Sequence, residues 1–428
     1  MRGVTGSGPR GPVGTAEPLV FAVCALDETV TPPPPAGRLG ARAVVALLVI
    51  AAASMVAQGF GRFTYPVLLD AINDDILQSY GRAGLLGTAS LVAYLLGTGV
   101  VAWASTRIDA GSLMRFGIVL SLSGLALLTV APDFLTLGIA LFIAGLGGAA
   151  VWIPAPGIGA MLVGPARAGL AVGLVGSGIG MGIVVAGPLT NAVRTASGDA
   201  GAWRPVYAVQ AGIAAVVLVA LFLIRRSTSP PSAQQDKVPF GVIRTVPGWY
   251  LLVGAFAVFG VAYSLYFYFL VAQLRSAGWS PSASSLVFAL TGVASVLGGL
   301  VFGRLSDRYP RPNVMAVGFA LMVAAPLLSL QGTPVSVTAA AIAFGLCVSG
   351  TPTTIGAMVA DHLSGRAFGA AFGTLTLGFG ISQLAGPPFA GFVGEATGSF
   401  TVPFLVASAM AAVGIVISLR ARRFAIRR

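Results

Sequence analysis

Charge is scarce in this chain: only 9 % of its 428 residues are Asp, Glu, Lys or Arg. Soluble proteins use about 25 %, so a water-exposed globular fold of this length is excluded. Lysine is nearly absent, and the one present, Lys237, follows Asp236. A phosphate-binding loop needs Gly-Lys-Ser/Thr, so direct ATP drive through this chain is excluded as well. One histidine, His362, and two distant cysteines, Cys24 and Cys347, leave no hydrolase triad, disulfide framework or usual metal site. The expectation is a protein with no catalytic residues, no metal and no cofactor, and therefore not an enzyme.

What the chain has in abundance is apolar sequence, 56 % of all residues. Windows of about 20 apolar residues, the length that crosses a bilayer, recur from residue 42 to 420. The fold class is an all-α polytopic membrane protein. Breaks at charged, Pro and Gly positions predict twelve transmembrane helices, at 42–67, 82–104, 112–131, 134–154, 168–190 and 205–224, then 248–272, 282–303, 313–330, 335–357, 367–392 and 401–420. The expected organisation is a disordered cytoplasmic tail (1–40), a six-helix bundle (41–224), a cytoplasmic connector (225–247), a second six-helix bundle (248–420) and a basic tail (421–428).

The net charge of +12 is explained by position. With the amino terminus in the cytoplasm, 20 of the 25 basic residues fall in inner segments and 4 in outer loops. That split is a strong positive-inside signal. It places both termini in the cytoplasm of a bacterial inner membrane. It also excludes a nucleic-acid partner, because the basic charge is spread over many short loops.

The halves repeat at an offset of 199 residues: Ala186-Gly187-Pro188 matches Ala385-Gly386-Pro387, and Phe60-Gly61 matches Phe259-Gly260. Parallel six-helix repeats place a substrate site at their interface, near the membrane midplane. Pro188 and Pro387, with Gly187 and Gly386, can kink their helices and are candidate hinges. Pro154 and Pro352 are a second such pair, and the symmetric placement favours a shared mechanical role in rocking. The run GSGIGMG (176–182) lies inside an apolar span with no preceding strand, so it reads as close helix packing and not as a dinucleotide fingerprint.

Between the eighth and ninth helices the chain reads GRLSDRYPRP (303–312). This resembles the signature loop of the major facilitator superfamily, at Gly303, Leu305, Asp307, Arg308 and Arg311. The resemblance covers roughly residues 40 to 424. It implies a cytoplasmic latch built from Gly303, Asp307, Arg308 and Arg311; from the residues alone, Asp307 can face Arg311 one helical turn away or sit near the positive amino end of a neighbouring helix. The first-half copy, ASTRIDAGSLM (104–114), keeps only Arg107 and Asp109, and the arginine the family often places in the fourth helix is Leu141 here. The GFGRF stretch of the first helix is similar to the YbfB-like branch of the superfamily.

Arg62 stands out because all 13 acids are expected in loops, tails or span ends, so it has no evident counter-ion. An intramembrane charge is a functional hypothesis by default. Ser54, Gln58, Arg62 and Tyr65 share one α-helical face. Two positions are open: Arg62 faces a central cavity and binds an anionic group, or the first helix ends near it and the side chain snorkels to the outer headgroups. With Arg62, the candidate substrate-binding residues are Gln58, Tyr65, Tyr94, Trp152, Tyr263 and Gln383. His362 reads as a solvated loop residue.

The function expected is a secondary or facilitative transporter that moves a small organic solute, anionic or amphipathic, by alternating access. The alternative is a membrane sensor on a transporter scaffold, without net flux. The partners expected are the solute, the lipid bilayer and either a coupling proton or an exchanged solute, with the chain acting as a monomer. Asp70 or the Asp74/Asp75 pair would carry a coupling proton. The lack of a buried acid favours exchange or uniport.

Overall fold

The computed structural model describes Gly3 and residues 40–104, 107–163, 168–199, 201–224, 240–363 and 365–424. The expected amino-terminal tail, most of the connector and the end of the basic tail lie outside the described residues. From Gly40 onward the chain forms one compact unit. All regular structure among the described residues is helical.

Twelve helices follow in order: α1 (Ala41–Leu77), α2 (Tyr80–Ala104), α3 (Ala110–Val130), α4 (Phe134–Trp152, continued by Ala155–Val163), α5 (Ala168–Ser197) and α6 (Arg204–Leu223). Then come α7 (Trp249–Ser276), α8 (Pro281–Arg308), α9 (Arg311–Leu330), α10 (Pro334–Ala360), α11 (365–397) and α12 (Thr401–Ala421). Among the described residues, ten of these helices are long and apolar enough to cross a membrane. Large apolar side chains stand exposed around the outside, with Val216 at 70 % and Leu135 at 69 %. In water such a surface would aggregate. Against lipid it costs nothing, and the backbone is satisfied within each helix.

Local chemistry sets the helix starts. Asp109 and Asp133 cap α3 and α4 by accepting from the Ser112 and Thr136 amides at 2.8 Å. Ser280 caps α8, and Pro281 occupies its first turn, where no amide hydrogen is needed.

Packing repeats between the halves. In the first, α2 and α3 pack on α4, α3 on α6 and α1 on α5. In the second, α8 and α9 pack on α10, α9 on α12 and α7 on α11. The halves meet where α2 packs on α11 and α5 on α8. Glycine makes these crossings close. A Cβ on Gly59 of α1 would lie 2.5 Å from the Gly182 Cα of α5. Part of the GSGIGMG run therefore serves as a backbone-on-backbone contact, as small residues do between membrane helices.

Four sequence expectations are corrected. Helix α1 does not end near residue 67 but continues to Leu77. Asp70, Asp74 and Asp75 thus lie inside a helix, and Asp70 is largely buried. The winding of α1 is also irregular: Met55–Phe63 is π-helical, which displaces the shared face drawn for Ser54 to Tyr65. Third, Asp307 and Arg311 do not share a helix. The chain leaves α8 at Tyr309-Pro310, and Arg311 pairs instead with Asp361, the residue that ends α10, at 2.9 Å. Fourth, the proline pairs are not mechanically equivalent. Pro188 and Pro352 lie within continuous helices, whereas helix α4 is interrupted at Pro154 and α11 passes through a 3-10 turn, Gln383–Ala385, just before Gly386-Pro387.

Candidate functional site

Arg62 sits in the π-helical segment of α1, and its helix runs well past it toward Leu77. Its side chain does not reach for headgroups; it points between the halves. The Nη2 donates to Oε1 of Gln383 in α11 at 2.5 Å. The guanidinium carbon lies 5.5 Å from the ring centre of Phe63 and 5.7 Å from that of Tyr94, distances at which a cation is attracted to a ring face. Tyr263 and Tyr268 of α7 also lie within electrostatic reach. No carboxylate among the described residues pairs with Arg62. Its buried Nε has no hydrogen-bond partner.

The structure therefore brings Arg62, Tyr94, Tyr263 and Gln383 together. It spends other predicted residues elsewhere. The Tyr65 hydroxyl donates to the Ala83 carbonyl at 2.7 Å, tying α1 to α2. Gln58 is the exception: buried, it donates to the Gly148 carbonyl of α4 at 3.2 Å and also lies within reach of the Tyr94 hydroxyl, at the edge of the Arg62 group. Trp152 is half-buried at the end of the first segment of α4, beside the Pro154 interruption. Tyr268 was not among the predicted residues. It is 2 % exposed, and its hydroxyl has no hydrogen-bond partner. Nothing in its local sequence, one aromatic among the many of α7, distinguishes it.

Several polar ties between the halves gather toward one end, here the Glu395 end. Ser79 Oγ and the Gly81 amide donate to Glu395 at 2.5 and 2.8 Å. Ser282 of α8 donates to Asn191 of α5 at 2.6 Å. Arg275 of α7 faces Asp70 of α1 at 3.9 Å, and Tyr80 donates to Asp70 at 3.1 Å. Of the candidate hinge glycines, Gly187 belongs to the contact zone between the halves, since a side chain there would strike the Ser285 carbonyl of α8, whereas Gly386 packs within the second half, against Ser264 of α7.

Glu395 is exposed near the end of α11, beyond the apolar stretch 367–392. The two hydrogen bonds from Ser79 and Gly81 hold its carboxyl below the usual carboxylate range. A lowered acid stabilises the bonded arrangement at neutral pH, and that contribution is lost as pH falls through the lowered value. Acidification from neutral to below about pH 4, near the ordinary glutamate value, is expected to loosen this contact. Spin labels at the exposed Thr195 and Thr397 should report a longer component at acid pH, and Glu395→Gln should remove that pH dependence.

At the opposite end, Gly303, Asp307 and Arg308 close α8, with Asp307 and Arg308 exposed. A cavity of about 710 Å³ lies there, lined by Asp307, Arg311, Asp361, His362 and Arg422 among others. It belongs to the second half alone and does not include Arg62. His362 is exposed, with Nδ1 3.2 Å from the Met358 carbonyl.

A family profile described as "Uncharacterised MFS-type transporter YbfB" matches residues 54–419. Among curated proteins, the chain is 27 % identical over 177 residues to monocarboxylate transporter 13 of Bos taurus, covering 39 % of this chain and 40 % of that protein. The chain thus spans less than half the length of that relative. It is 23 % identical over 328 residues to the putative transporter AraJ of Escherichia coli K12, covering 75 % of this chain and 82 % of AraJ. Among solved structures, a point mutant of the nucleoside transporter NupG superposes with a TM-score of 0.73 at 12 % identity, over 87 % of this chain and 99 % of that one. A likeness at that identity speaks for the fold.

Proposed function

The chain belongs to the major facilitator superfamily, in its uncharacterised YbfB-type branch, and from that premise we propose that it is a secondary transporter of small organic monoanions. One observation supports this most strongly. Arg62 is held between the halves with no carboxylate partner among the described residues and a buried Nε still unpaired. A cation at depth is costly. A solute that brings one negative charge compensates it, whereas a dianion would leave a second charge unmatched. The monocarboxylate transporter among the relatives agrees with this class.

Residues 41–224 and 248–420 would be the two bundles that rock, with 225–247 as their connector. The positive-inside pattern orients both termini to the cytoplasm of a bacterial inner membrane. The Glu395 end then faces outward, and the chain is in a state closed to the outside. Asp70, Tyr80 and Arg275 form part of that closure, and Arg311 with Asp361 anchors the cytoplasmic latch loop. Exchange of one anion for another is the favoured mode, since Arg62 has no acid from which a proton could be handed over.

Countertransport in proteoliposomes tests the reading. Vesicles loaded with unlabelled lactate, benzoate or methanesulfonate are offered the labelled form, with glucose and choline as neutral and cationic probes. Saturable uptake of an anion that depends on internal anion is the expected result. Uptake of glucose or choline alone would overturn the anion assignment. Saturable anion binding without any flux would favour the sensor alternative.

A further inference from the structure

The Arg62 site contains a second unpaired polar group, and it comes from the other half of the molecule. Tyr268 lies at the break of α7, where regular helix stops after Phe267 and resumes at Leu270. Its hydroxyl lies beside the Arg62 guanidinium, near enough for the two to interact as acceptor and donor, but it makes no hydrogen bond of proper geometry and its own proton has no acceptor. A guanidinium without a counter-ion and a buried hydroxyl whose proton has no acceptor each carry a desolvation cost. Two such groups side by side in one site suggest an absent acceptor.

The backbone around them points the same way. Arg62 sits on a π-helical segment, Tyr268 at a helix break and Gln383 at a 3-10 turn. Three of the helices meeting at the interface are therefore irregular where they present a polar side chain to it. Irregular turns of this kind concentrate at functional sites, and discontinuous membrane helices line transporter binding sites. Arg62 Nη2 is already committed to Gln383, while Nε has no partner.

We infer that Arg62 and Tyr268 form a two-donor clamp for a single carboxylate of the transported solute. This rests on the anion reading above and narrows it. One carboxylate oxygen accepts from Arg62 Nε–H and the other from the Tyr268 O–H. A carboxylate is acceptor-only and planar, so these donors take one lone pair on each oxygen. The Arg62 bond is charge-assisted and strong. A carboxamide lacks the charge and turns a donor toward one of the two. A sulfonate or phosphate ester brings a third oxygen for which the clamp has no donor. Because Arg62 belongs to α1 and Tyr268 to α7, the bound carboxylate would bridge the halves. The body of the solute would lie against aromatic rings, since Tyr94, Tyr263 and Phe63 surround the guanidinium.

The test uses the full chain in nanodiscs, with acetate, hexanoate and benzoate as probes and benzamide and benzenesulfonate as their counterparts. Dissociation constants are measured for wild type, Tyr268→Phe and Arg62→Gln. The expected result is that the wild type binds a carboxylate at least tenfold tighter than either counterpart. Tyr268→Phe should weaken that binding about ten- to a hundred-fold, the loss of one hydrogen bond to a charged group, with a ligand-free melting temperature no lower than that of wild type. Equal carboxylate binding by wild type and Tyr268→Phe, with loss in Arg62→Gln, would overturn the clamp and leave the anion reading standing. Wild-type preference for benzenesulfonate would also overturn the clamp alone. Absence of binding by every anion would overturn both. If Tyr268→Phe does not fold, the wild-type ranking of benzoate against benzamide and benzenesulfonate decides the matter by itself.

Discussion

Arg62→Gln is expected to lower anion transport about ten- to a hundred-fold while leaving the protein at least as stable as wild type. The first half follows from the hydrogen bonding. Glutamine can keep a contact with Gln383, but it cannot supply the positive charge. Losing one charge-assisted hydrogen bond costs about 1.5–3 kcal/mol, and each 1.4 kcal/mol is tenfold in affinity. The second half follows from burial. Arg62 donates to a neutral amide and has no acidic partner among the described residues. Removing a buried charge that nothing neutralises relieves a desolvation cost, whereas removing one member of a buried ion pair would create one. Thermal unfolding without ligand, run beside countertransport, separates the two effects. Arg62→Lys should fall between, because the ammonium keeps the charge but loses the planar fork that serves Gln383 and a ligand at once. Wild-type flux and selectivity in Arg62→Gln would remove the guanidinium from the mechanism.

How much of this was legible beforehand depended on the kind of residue. A lone arginine deep in apolar sequence announces itself because the environment is costly, and Arg62 stood out for that reason. The end of α1 was misread for a related reason. Asp70, Asp74 and Asp75 look like an exit into water. The structure keeps them in the helix by giving two of them partners: Tyr80 donates to Asp70, and Arg204 and Trp203 donate to Asp75. Those partners lie up to 129 residues away in sequence, beyond any local reading. The break at Tyr268 was invisible because no Pro or Gly marks it, whereas the π-helical turn at 55–63 contains Gly59 and Gly61 and is followed by Pro66, a pattern that does not by itself specify the winding. Tyr268 was hidden by its neighbours, since α7 carries many aromatics and nothing separates a binding tyrosine from a packing one until the hydrogen-bond partners are known. The expected Asp307–Arg311 pairing is the opposite case. Pro310 lies between them, and a residue before proline is disfavoured in the helical region, so the break that sends Arg311 to Asp361 was readable in the sequence.

Gly84→Trp should trap the transporter open at the Glu395 end and reduce exchange to a small fraction of wild type. Helix α2 meets α11 there without side chains between them. A Cβ on Gly84 would strike the Pro387 carbonyl of α11, and a Cβ on Gly391 would strike the Tyr80 carbonyl of α2. Both obstacles are backbone, which cannot rotate aside as the tip of a flexible side chain can. The substitution therefore acts against the closed arrangement and leaves the interior of each half alone, because Gly84 faces α11. Overpacking of this kind costs about 1–3 kcal/mol, enough to shift a two-state equilibrium roughly five- to a hundred-fold. Spin labels at Thr195 and Thr397, exposed on the first and second halves, should show a longer distance dominating in Gly84→Trp. The same variant should still bind the transported anion, since the Arg62 side chain is untouched, but should turn over slowly because closure at this end is one leg of the cycle. Gly97 is a control for bulk: its Cβ would meet Ala149 and Leu146 of α4, within the first half. Substitution there should reduce stability without lengthening the inter-half distance. An unchanged distance distribution in Gly84→Trp, with exchange intact, would mean that this crossing does not close during transport, and the ties through Glu395, Asn191 and Asp70 would then be contacts of a static interface.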